Sequence, residues 1–188
     1  EGRVAPLVGR PINTEHEDPA VRALLEQFMG PNSRAGRALM LNGAFAEEGA
    51  FNRRDVHAAQ IPAANCITNA ASLAKVYAAT MGPIDGVQLL DDEVRDAVRT
   101  CVTPDGEVDL CLMMPTTFGM GFMTSGGFTP FSGVGSYGHP GAGGSVAFAH
   151  PERQLAFAYA MNQMAQNLAG DLRAQRLVDA AVTVADSL

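Results

Sequence analysis

Apolar positions along this chain follow two patterns. In the first half they recur at helical spacing, and toward the end they gather into short runs broken by turns. Val21, Leu24, Leu25 and Phe28 recur at three and four residues after Asp18-Pro19, a capping carboxylate with proline at the first helical position, and Gly30-Pro31 closes that segment. Residues 1–18 before it read as extended loop. From Asn32 to Leu41 the pattern is weak, and Ala38, Leu39, Met40 and Leu41 read as a buried patch. Arg53-Arg54-Asp55 opens a helical turn that ends before Ile61-Pro62. Ala70, Leu73, Ala74, Tyr77 and Ala78 then give a helix one face of small residues, with Thr68 or Asn69 as its cap and Gly82-Pro83 as its stop. Such a face permits close packing on a helix or a sheet. Asp91 or Asp92 starts a shorter helix with Val94, Val98 and Cys101 on its inner side.

Beyond the turn at Pro104-Asp105-Gly106 the period changes. Val108 to Met114 fits either a strand or an irregular run, and Phe118 to Met123 is strand-like but broken by glycines. Residues 126–135 form a Gly/Ser/Thr/Pro loop suited to the rim of a cleft. Ser145 to Ala149 and Gln154 to Met161 are short apolar runs around the polar turn His150-Pro-Glu-Arg153, which predicts a β-hairpin. Asp171 caps a last helix carrying Leu172, Leu177, Val178, Ala181 and Val184. The fold class expected is therefore α+β, an antiparallel sheet with packed helices: residues 1–106 mainly helix and loop, residues 107–188 sheet strands, hairpin and final helix. No repeat or clean linker interrupts it, so it is one domain or part of one.

Composition narrows the function classes. A net charge of −7 without any basic stripe argues against a nucleic-acid partner, since binding phosphates needs a basic face. Three cysteines at 66, 101 and 111 have no metal-ligand spacing and read as buried free thiols in a reducing compartment, which makes a cytoplasmic location the expectation. No apolar run reaches membrane-span length, no signal-peptide pattern stands at Glu1, and the chain does not open on Met. No His pair has metal-ligand spacing, so neither metal nor cofactor is expected. His16 and His57 read as solvated, and His150 as a turn residue.

The candidate chemistry centres on Ser136-Tyr-Gly-His-Pro-Gly-Ala-Gly-Gly144. Glycines let backbone or ligand approach without a Cβ in the way, and His139 puts a titratable ring in that open stretch. Two readings fit: a tight turn into a core hairpin, or a ligand-facing wall. His139-Pro140-Gly141, followed by a hairpin and a final helix, resembles the third motif of the serine β-lactamase and penicillin-binding-protein superfamily, and more narrowly the class C β-lactamase-like esterases, where His-x-Gly replaces Lys-Thr-Gly. Ile61-Pro-Ala-Ala-Asn65 leading into the Ala-rich helix is similar to the mid-chain stretch of that family. The resemblance implies the C-terminal part of such a hydrolase. It implies that the backbone N–H of Ala142 is one oxyanion donor, that His139 faces the cleft, and that Tyr137, Gly141 and Gly143 lie at the substrate. An imidazole is a less fixed anchor for a carboxylate than Lys, and Pro140 lacks a Thr hydroxyl, so neutral esters or amides are the implied substrates.

Ser72-Leu-Ala-Lys75 matches Ser-x-x-Lys, which places a hydroxyl and an amine on one helix face. In the family that motif lies far upstream, followed by Tyr-x-Asn, and none of Tyr77, Tyr137 and Tyr159 is followed by x-Asn. The resemblance thus puts the nucleophile in an upstream part of the same protein, the expected partner of this chain besides the substrate. Two alternatives remain at this point: a non-catalytic binding module on the same fold, and a self-contained Ser72/Lys75 hydrolase.

Overall fold

Large and small residues alternate along two consecutive segments, and that alternation builds the sheet. The computed structural model describes residues 2–9, 23, 26–27, 30–45, 47–165 and 169–188. Four strands, β1 (Met123–Thr124), β2 (Tyr137–Pro140), β3 (Val146–His150) and β4 (Leu155–Tyr159), pair antiparallel in the order β1-β2-β3-β4. The register places Gly138 opposite Phe148, His139 opposite Ala147, and Phe148 opposite Phe157. Five helices are described: α1 (Arg34–Leu39), α2 (Arg54–Ala58), α3 (Ala70–Met81), α4 (Asp92–Arg99) and α5 (Leu172–Ala185). The α+β class with an antiparallel sheet is what the patterning indicates. The helix expected between Asp18 and Gly30 falls largely outside the described residues, of which Ala23, Glu26 and Gln27 are helical.

The chain forms two compact units. One comprises Thr68–Glu107, Pro115–Met161 and Ala165–Leu188. In it, successive strand residues point to opposite faces of the sheet. On one face Met123, Phe131, Phe148 and Val178 form a core, joined by Phe118, Val146, Leu155, Phe157 and Val182. On the other, Tyr137, Ala149 and Val98 pack with Tyr77, Met81, Val94 and Phe122. Val146, Phe148, Leu155 and Phe157 are thus the large side of β3 and β4, covered by α5. Ala147, Ala149, Ala156 and Ala158 are the small side, where the Ala-rich α3 lies close. Phe148 is fully buried, a burial that contributes about 1.5–3 kcal/mol. Asn69, Asp91 and Asp171 cap α3, α4 and α5 by accepting from the N–H groups of Ser72, Val94 and Arg173.

The other unit comprises Glu1–Ile67, Val108–Met114 and Asn162–Met164. Val8 bridges Gln163 in parallel, Asn52 accepts from and donates to the backbone of Leu7, and the Asn65 amide donates to the carbonyls of Val56 and Ala59. Val108–Met114 is irregular: Asp109 Oδ1 accepts the N–H groups of Cys111 and Leu112 and closes a turn.

Several expectations need correction. The weak stretch at 32–41 contains α1, capped by Ser33, and what it buries is Ala35 and Gly36. Leu39, Met40 and Leu41 are exposed, so they are no buried patch. All three cysteines are free as expected, but exposed rather than buried. The inner face of α4 ends at Val98, and Cys101 lies beyond the helix end, donating to the Thr103 carbonyl. His57 is half-buried, with Nε2 donating to the Phe51 carbonyl. No helix among the described residues is long and apolar enough to cross a membrane.

Candidate active-site wall

His139 does not lie on a loop. The Gly-rich stretch enters the sheet as β2, and the hairpin is the second half of a three-stranded meander. Gly138 is required there, because a Cβ would overlap the Ala147 carbonyl and Phe148. His139 is exposed, its ring 6.2 Å from that of Phe118. Its Nδ1 lies 2.6 Å from the Pro140 carbonyl, and a carbonyl can only accept, so Nδ1 carries the proton. The neutral ring therefore offers a lone pair at Nε2, and the protonated ring a second N–H.

After Pro140 the chain turns through Gly141-Ala-Gly-Gly144. Gly144 N–H donates to the Gly141 carbonyl at 3.1 Å, and Gly141 N–H to the Ser145 carbonyl at 2.7 Å. Gly143 has φ +85° at the third turn position, where only a residue free to adopt positive φ serves, the pattern of a type II turn. The Gly141–Ala142 peptide is trans, so its carbonyl and its N–H point in opposite directions. The carbonyl is directed inward to Gly144, and the Ala142 N–H therefore points out of the turn. Ala142 is exposed, and nothing among the described residues accepts from its N–H. Gly143 and Gly144 are buried beneath it.

Tyr137, two residues before His139, is fully buried. Its hydroxyl lies 2.8 Å from Thr80 Oγ1, which spends its own proton on the Tyr77 carbonyl, so Tyr137 is the donor. Burial pushes Tyr77 up to about 12 and raises Tyr137 as well, so both stay protonated at neutral pH. Ser72 and Lys75 share the helix α3, but no hydrogen bond joins their side chains among the described residues. Ser72 is exposed in the first turn of α3, while Lys75 pairs with Asp85. A cleft of about 630 Å³ beside Lys75 is lined by Ala74, Ala78, Met81, Ile84, Gln154 and Ala156, without Ser72.

Sequence reasoning underrated His150. It is buried at the far end of β3 from the Gly141–Gly144 turn, with Nδ1 2.8 Å from Ser132 Oγ and 3.3 Å from Arg153 Nη1. The guanidinium can only donate, so Nδ1 accepts from both, and Nε2 faces Glu152 Oε2 at 3.6 Å. Burial first, then Arg153, holds its pKa below the usual histidine value. Ser, His and Glu stand here in triad order, but Ser132 and His150 are 9% and 2% exposed, and the group ties loop to strand. Nothing in the sequence placed Ser132 beside a residue eighteen positions later.

Known proteins agree with the resemblance. Residues 12–182 match the family described as Beta-lactamase. The chain belongs to the β-lactamase family. It is 33% identical over 153 residues to the esterase/beta-lactamase LipL of Mycobacterium tuberculosis, a match covering 77% of this chain and 32% of that protein. A family VIII carboxylesterase structure is 30% identical with a TM-score of 0.67, covering 80% of this chain and 42% of that one. A penicillin-binding-protein homologue from Caulobacter crescentus is 31% identical with a TM-score of 0.61, covering 74% and 38%. The structure of EstA from Arthrobacter nitroguajacolicus Rue61a, 24% identical with a TM-score of 0.72 over 96% of this chain and 46% of that one, shares the fold. The chain spans about a third of the curated relative and less than half of each of these structures. Among the described residues no group of His, Cys, Asp or Glu is arranged to hold a metal.

Proposed function

We propose that this chain is one wall of the active site of a serine esterase, with the nucleophile supplied by an upstream segment of the same protein. The observation that carries the reading is the pairing of an exposed His139 at the end of β2 with an outward, unbonded Ala142 N–H in the turn that follows. Acyl transfer needs a donor where the carbonyl oxygen becomes negative, and a backbone N–H held by its turn supplies one without reorganisation. Ala142 would stabilise that oxyanion together with a second N–H from the nucleophile's own strand or helix. Gly141 and Gly143 leave the turn slim enough for an acyl group to approach.

His139 has its Nδ1 proton committed to Pro140, so its neutral ring accepts a hydrogen bond at Nε2 from the hydroxyl of a catalytic Tyr. Without a permanent positive charge on this wall, neutral esters are favoured over acids that need a carboxylate anchor. Tyr137 enters this reading as the support beneath the strand rather than as a group on the substrate. The test is steady-state hydrolysis of p-nitrophenyl esters by the full-length protein. His139→Ala should lower kcat/KM by about tenfold to a thousandfold with little change in Tm. His139→Lys should shift preference toward carboxylate-bearing β-lactams relative to neutral esters. Parent-like kinetics in both variants would remove His139 from the site.

A further inference from the structure

The outward direction of the Ala142 N–H depends on Gly144 staying where it can donate to Gly141. Gly144 has φ +114°, and a small cavity of about 40 Å³, lined by Pro140, Gly144, Ser145 and Asp171 among others, lies against the turn. Apolar packing alone therefore leaves the turn room to shift. What meets it instead is polar. The Gly143 carbonyl accepts from Ala165 N–H at 2.8 Å and from Arg173 Nη2 at 3.0 Å. Arg173 is held by Asp171 through Nη2–Oδ2 at 2.6 Å and Nε–Oδ1 at 3.0 Å, and the same Asp171 caps α5. The Asp171 carboxylate also abuts the Cα of Gly144 so closely that a Cβ there would overlap it. Asp171 is 6% exposed, and its hydrogen-bonded carboxylate holds the Arg173 pKa above the ordinary guanidinium value.

We propose that Asp171 and Arg173 are positioning residues for the oxyanion donor: anchored at the start of α5, they lock Gly143 and Gly144 and thereby fix the direction of the Ala142 N–H. The inference rests on Ala142 N–H being that donor. An N–H displaced by a fraction of an ångström still lets substrate bind but stabilises the tetrahedral intermediate less, so the loss falls on kcat.

The test uses the full-length protein with p-nitrophenyl butyrate as substrate and a boronic acid as the transition-state analogue. Arg173→Met should lower kcat by about tenfold to a hundredfold with KM within about twofold, and weaken the boronate by a similar factor. Arg173→Lys, which keeps a charge opposite Asp171 but cannot donate in the same forked geometry, should fold and show smaller parallel losses in kcat and boronate affinity. Parent-level kcat and boronate affinity in a folded Arg173→Met would overturn the proposal. So would parent-level values in Arg173→Lys if the Met variant does not fold, or a loss of kcat with boronate affinity unchanged. Ala142→Pro separates the two assignments. If it retains parent activity, the donor itself is misassigned; if it loses activity while both Arg173 variants keep theirs, only the positioning role falls.

Discussion

The Tyr137 hydroxyl donates to Thr80 across 2.8 Å of buried interior, joining β2 to α3 two residues before His139. Thr80 passes its own proton to the Tyr77 carbonyl, so the chain of bonds has one direction and no unused donor. Removing the hydroxyl takes a donor from a buried acceptor, whose stranding costs about 1–3 kcal/mol. Tyr137→Phe should therefore lower the unfolding free energy measured by urea titration by that amount while leaving ester kcat/KM within about threefold of the parent. A large loss of activity at unchanged stability would mean that the hydroxyl faces the substrate after all.

His150 should make the fold sensitive to mild acid. Above pH 6.5, the ordinary value, the ring is neutral both folded and unfolded and contributes nothing to pH dependence. As pH falls, the unfolded ring takes a proton first, because the folded ring is buried and sits beside Arg153 and Arg99, only partly offset by Glu152 and Asp186. The unfolded state then binds more protons, and stability falls from pH 6.5 down to the depressed folded value. Urea titrations between pH 7.5 and 5 should show that fall, and His150→Asn should flatten it. Parallel curves for parent and variant would exclude His150 as the source.

Ser72→Ala should leave ester hydrolysis by the full-length protein near the parent rate. Ser72 is exposed, its N–H is taken up by the Asn69 cap, and Lys75 is engaged with Asp85. A loss of about a hundredfold or more in a folded variant would restore the Ser72/Lys75 pair as a nucleophile.

What could be read from the residues alone was the local part of the fold. Asn69, Asp91 and Asp171 act as caps because a short acceptor satisfies free helix N–H groups within three residues. The Val146–His150 and Leu155–Tyr159 hairpin follows from alternation around a polar turn. Residue propensity did not show the β2 strand, which only the family resemblance implied, because Gly138 and Pro140 are poor strand formers and their pairing is set by Phe148 and Val146 across the ladder. Helix α1 was hidden because its buried residues, Ala35 and Gly36, carry almost no hydropathy signal. His139 and Ala142 stood out through their Gly-rich setting. Arg173 did not, since thirty residues separate it from the carbonyl it holds, and only the packing of α5 closes that distance.

The most direct measurement is kcat/KM for Ala142→Pro in the full-length protein, with Tm taken on the same sample. Proline suits the second position of a type II turn and replaces the outward N–H with a ring methylene, so the donor is lost while the turn itself should persist. The account predicts a loss of about a hundredfold to a thousandfold in kcat/KM, on the scale of one missing oxyanion donor, with Tm nearly unchanged. Parent-level kcat/KM at parent-level Tm would contradict it.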